Sequence, residues 1–111
     1  MKPWEALLAS VLLVSPAMTQ DASAMRAARL RFGQVATRAV ANFRSADSIE
    51  ERLRAQGSTL HPSLISLRLR IESALDKGEA ALGKGDLKAA GEQIKLAEGM
   101  LDKFARKLGG D

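Results

Sequence analysis

Residues 82–108 read LGKGDLKAAGEQIKLAEGMLDKFARKL, and their spacing decides the fold class. Leu87, Ala90, Ile94, Ala97, Leu101, Phe104 and Leu108 recur at alternating intervals of three and four, which lays them along one stripe of an α-helix. The other side carries Lys88, Glu92, Lys95, Asp102 and Arg106 and reads as a solvated face. Just upstream, Gly83, Lys84, Gly85 and Asp86 make a tight break, with Asp86 the expected N-cap of the helix that follows. Gly91 and Gly99 lie off the stripe. Each weakens a helix by about 1 kcal/mol relative to Ala, so they either admit a close neighbour or leave the helix soft.

Working outward from this break, a second helix is predicted from about Pro62 to Leu82. Its face is Leu64, Leu67, Ile71, Leu75, Gly78 and Leu82, and Pro62 stands in its first turn, where a missing N–H leaves nothing unsatisfied. Ile65 and Leu69 project a quarter turn or more from that face. The first half of this helix therefore calls for burial on two sides. Gly57, Ser58 and Thr59 mark the turn that precedes it. Further upstream, Met25, Ala28, Phe32, Val35, Ala39, Phe43, Ala46, Ile49 and Leu53 set out a long first helix reaching about Gln56. Asp47 followed by Glu50 resembles a capping box, so the pattern leaves two courses open, a continuous helix or one bent near Ser45 to Ser48. A short connection forces the second and third helices into an antiparallel hairpin. With the first helix folded across it, the expected fold is an all-α, small antiparallel three-helix bundle.

Residues 72–104 resemble a single tetratricopeptide-type helical hairpin. Gly78, the Gly85, Asp86, Leu87 turn, and then Ala90, Ile94 and Ala97 stand where that repeat places its small, turn and packing residues. Lys77 and Ala81 depart from it, no proline follows Leu101, and the chain holds one copy where stacked repeats need about three. The resemblance implies a protein-interaction scaffold without catalysis.

The 111 residues suffice for one domain, with aromatics at 4%, no tyrosine and no cysteine. The absence of cysteine removes disulfides, thiolate metal sites and thiol nucleophiles. At the start, Lys2 precedes an apolar run from Ala6 to Val14, interrupted by Ser10 and followed by Ser15 and Pro16. This reads as a signal peptide over residues 1–24, with cleavage after Ala17 or Ala24, and a helical domain over 25–111. The run falls short of the roughly 20 apolar residues that span a bilayer. The alternative is an uncleaved apolar helix packed on the domain, a reading that the unusual Glu5 favours. Export without cysteine points to a bacterial periplasmic or secreted protein.

Removal of residues 1–24 takes away Lys2, Glu5 and Asp21 and leaves 16 basic and 11 acidic residues. The stretch from Met25 to Arg44 holds five arginines and no acid, and the rest of the chain is neutral. Arg26, Arg29, Arg31, Arg38 and Arg44 are therefore the candidate contacts for an anion or an acidic partner, because guanidinium groups suit carboxylates and phosphates. Ile65 and Leu69 are the candidate apolar contacts if the bundle leaves them uncovered.

No catalytic constellation accompanies them. His61 is the only histidine, and no acid is placed to orient it beside Ser58, Thr59 or Ser63. With one histidine and no cysteine, no metal site or cofactor is expected. Glu72, Asp76 and Glu79 share one helical strip and read as a solvated face. The functional expectation is a small exported, non-enzymatic interaction or structural protein of the cell envelope. Two rivals stand beside it: a binder of anionic surfaces such as lipid or lipopolysaccharide phosphates, and self-association through the helix seams. Nucleic acid is not an expected partner.

Overall fold

The computed structural model describes residues 19–110, so the segment read as the body of a signal peptide, 1–18, lies outside the described residues. The described residues form three helices: α1 (Thr19–Ala55), α2 (Pro62–Lys84) and α3 (Leu87–Leu108). The molecule is a small all-α three-helix bundle, elongated to 60 × 23 × 18 Å. α1 runs unbroken through Ser45 to Ser48. Asp47, which resembles a cap in the sequence, instead accepts a hydrogen bond from Arg68 Nη1 on α2 at 2.7 Å.

Two glycines close the helix ends. At Gly85 the backbone enters the left-handed region (φ 74°), Gly85 N–H bonds Leu82 O, and Asp86 N–H bonds Ala81 O. The same pair of bonds recurs after α1, where Gly57 (φ 80°) donates to Arg54 O and Ser58 donates to Leu53 O. Both are Schellman caps, which satisfy carbonyls left orphaned at a helix C-terminus and turn the chain sharply. The next helix begins at once. Asp86 Oδ1 accepts from Ala89 N–H at 3.1 Å, as its position after the break predicts. His61 caps α2, its Nδ1 accepting from Ser63 N–H at 3.1 Å, with Pro62 in the first turn.

Contacts between the helices fix their directions. Arg31 meets Glu98, Arg38 meets Asp102 and Phe43 meets Phe104, so α1 runs parallel to α3. Phe32 lies against Gly78 and Asp47 against Arg68, so α1 runs antiparallel to α2. Met25 reaches the Gly85 turn. The six helical residues before it therefore extend about 9 Å beyond the tip of the hairpin, at 1.5 Å per residue.

The core follows the predicted stripes on all three helices. Phe32, Val35, Ala39, Phe43 and Ala46 of α1 are buried against Leu64, Leu67, Ile71, Leu75 and Leu82 of α2 and Ala90, Ile94, Ala97, Leu101 and Phe104 of α3. All three phenylalanines are inside. Phe43 and Phe104 stack edge to face with centroids 5.6 Å apart, an arrangement favoured by the ring quadrupoles. The Arg68 guanidinium covers the exposed edge of this pair, 4.6 Å from the Phe43 centroid. Gly78 sits where the three helices converge: a Cβ there would lie 3.5 Å from Gln93 Cβ and 3.6 Å from the Phe32 ring.

Candidate functional site

The five arginines between Met25 and Arg44 take three different environments. Arg31 and Arg38, seven residues apart, fall on the flank of α1 that faces α3. There Arg31 Nη2 donates to Glu98 Oε1 at 2.5 Å and Arg38 Nη2 donates to Asp102 Oδ1 at 2.5 Å. The hydrogen bond and charge of Glu98 raise the Arg31 guanidinium further above its already basic value. Both pairs are open to solvent, and such pairs contribute about 0 to 1 kcal/mol each. Their effect is on register: they align α1 with α3, and an outside anion would have to compete with Glu98 and Asp102 for these two arginines.

Arg29 is half-buried, and its Nε and Nη1 are shielded from solvent with no hydrogen-bond partner among the described residues. Of the five, only Arg26 and Arg44 are exposed without an ion pair to another described residue. The structure thus divides an array that is continuous in sequence. A helix places residues seven apart on one flank, but only docking shows which flank meets an acidic neighbour.

Ile65 and Leu69 remain 47% and 64% exposed in the assembled bundle. Their sequence positions called for a second burial surface, and α1 does not provide it. α1 packs on the other side of α2, where Arg68 reaches Asp47 and Phe43. The apolar pair is therefore presented on an outward face of α2.

A third feature is visible only once α2 and α3 are side by side. Arg70, Ser73, Ala74 and Lys77 of α2, with Gln93, Leu96 and Met100 of α3, line a groove of about 310 Å³. Ala74 is buried at its floor, Met100 is half-buried, and Leu96 is 52% exposed at its rim. Gln93 Oε1 is shielded from solvent without a hydrogen-bond partner among the described residues. The sequence held one sign of this groove: Leu96 and Met100 are large apolar residues one turn apart on α3, off its inward stripe.

Among the described residues, no group of three or more His, Asp or Glu is placed to hold a metal ion, and no helix is long and apolar enough to cross a membrane. His61 spends its Nδ1 on the backbone and hydroxyl of Ser63. Glu72 lies 3.6 Å from Arg68, one turn earlier on the same helix. Comparison with protein-family models, curated protein sequences and solved structures finds no match to this chain.

Proposed function

We propose that the chain is a small exported, non-enzymatic helical protein of the bacterial cell envelope that binds another protein through the outward face of α2. The observation that carries this reading is the exposure of Ile65 and Leu69 in a bundle whose own three helices are already packed. Burying a large aliphatic side chain is worth about 1.5 to 3 kcal/mol, and two of them one turn apart form a compact anchor. The likeness of residues 72–104 to one tetratricopeptide-type hairpin supports a scaffold role. The apolar run from Ala6 to Val14 and the lack of cysteine support export.

The rival reading, an anionic-surface binder, rests on α1. With Arg31 and Arg38 paired to Glu98 and Asp102, and Arg54 to Glu50, its unpaired outward cations are Arg26, Arg44 and Arg52, spread along the helix, so the apolar contact is the stronger reading.

The test is site-specific photo-crosslinking in an expressing bacterium, with the reactive side chain at position 65, 69 or, as a control on α1, 51. Protein adducts from 65 and 69 that persist at high salt and are missing from 51 are expected. Equal adducts at all three positions, or none, defeat the reading. Co-sedimentation with anionic vesicles that is lost with salt and with Arg26→Glu/Arg44→Glu would establish the rival.

A further inference from the structure

We infer that the groove between α2 and α3, on the side away from α1, is the docking site for an acidic amphipathic helix of a partner protein. This rests on the protein-binding reading above and specifies the chemistry of what is bound.

The groove has the dimensions of a helix seat. Its α2 wall runs from Arg70 through Ser73 and Ala74 to Lys77, and its α3 wall runs from Gln93 through Leu96 to Met100. Each wall runs over eight residues, about 10 Å or two helical turns. The floor is low, because Ser73 and Ala74 stand where larger side chains would fill the space. A helix can lie there with its i, i+3 or i+4, and i+7 side chains against Leu96, Met100 and Ala74.

Charge decides which helix. The lining contains two cations, Arg70 and Lys77, and no acid. The pairing of α1 with α3 reinforces this bias. α3 has three acids, Glu92, Glu98 and Asp102, and five cations, Lys88, Lys95, Lys103, Arg106 and Lys107. Two of those acids are turned toward α1 and paired with Arg31 and Arg38, which leaves Glu92 as the one acid of α3 outside those pairs; on α2, Asp76 and Glu79 lie outside the lining of the groove. The basic excess that the sequence assigns to α1 is carried in the folded molecule partly by α3. Arg70 and Lys77 form no ion pair with another described residue, so both can meet carboxylates on the flanks of an incoming helix.

The chain's own candidates fit less well. Its outward α1 face, with Ala27, Leu30, Thr37 and Ala41 between Arg26 and Arg44, offers no acid to Arg70 or Lys77. Residues 1–18 hold one acid, Glu5, against Lys2.

The experiment pans a phage-displayed library of helical peptides against the full chain and measures the selected peptides by fluorescence anisotropy. Selected sequences should carry an apolar row flanked by Asp or Glu. Their affinity should fall at least tenfold with Arg70→Glu/Lys77→Glu and with Leu96→Glu, exposed positions whose change spares the core. It should change less than twofold with Arg26→Glu/Arg44→Glu. Peptides without acids, or peptides indifferent to Arg70→Glu/Lys77→Glu, overturn the inference. So does a dimer in sedimentation that Leu96→Glu dissolves, peptide binding that appears only after deletion of residues 1–18, or anionic vesicles that bind through Arg70 and Lys77 where peptides do not. Crosslinks at 65 and 69 together with indifference to Arg70→Glu/Lys77→Glu would remove the groove alone. Absence of any crosslink would remove the protein-binding reading with it.

Discussion

Replacing Gly91 and Gly99 by alanine should make the protein markedly more stable. Both lie inside α3, and a Cβ built on either meets no heavy atom within 4 Å, so neither glycine serves a close approach within the bundle. A glycine inside a helix is about 0.8 to 1.0 kcal/mol less favourable than alanine, because its unfolded chain has more freedom to lose. The open space means that no steric term offsets this gain. The two sites are eight residues, about 12 Å, apart along the helix and share no partner, so their effects should add. The double variant is therefore expected to gain about 2 kcal/mol. At 4 to 8 °C per kcal/mol for a domain of this size, its Tm should rise by about 8 to 16 °C. Urea unfolding followed by circular dichroism at 222 nm measures the change, with an unaltered slope showing that it lies in stability. A gain under about 0.5 kcal/mol, or a loss, refutes the reasoning, since it would mean that something packs against those faces of α3.

Phe104→Ala removes a fully buried ring and its edge-to-face contact with Phe43; a loss of about 3 to 5 kcal/mol in denaturant unfolding is expected. Asp86→Ala leaves the Ala89 N–H without its cap and should lose about 1 kcal/mol, with Asp86→Ser restoring most of it. Gly85→Ala forces a side chain into a left-handed conformation and should destabilise by about 1 kcal/mol in the same assay, opposite in sign to the change at Gly99. A double-mutant cycle on Arg31 and Glu98 should give a coupling below about 1 kcal/mol that shrinks between 0.01 and 1 M salt.

The fold was readable because each helix carries its own periodic record. In α3 the inward residues Ala90, Ile94, Ala97, Leu101 and Phe104 all lie on one arithmetic stripe, and each is at most 1% exposed. Ala36, Ala74 and Ala81 are also buried, but an alanine beside a stripe looks the same in sequence whether it is covered or not. Asp47 shows where local reading reaches its limit. Its spacing from Glu50 suggests a cap, yet its partner is Arg68, twenty-one residues on and on another helix. The candidate site was half legible for the same reason. Ile65 and Leu69 declare themselves by leaving their stripe, whereas the fates of Arg31 and Arg38 depend on which flank of α1 meets α3. The groove of Arg70, Lys77, Leu96 and Met100 belongs to two helices at once, and only their packed register creates it.

The parallel pairing of α1 with α3 has a consequence for how the chain is made. Arg31 and Glu98 are separated by 67 residues, and Arg38 and Asp102 by 64. At roughly 5 to 20 residues per second, α1 leaves the ribosome some 3 to 13 s before the residues that will hold it. During that interval α1 has only α2 to pack against, and Phe43 lacks Phe104. α2 and α3, joined by a two-residue link, meet almost as soon as both exist. The hairpin of α2 and α3 therefore closes over the shortest stretch of chain, and the pairing of α1 with α3 over the longest.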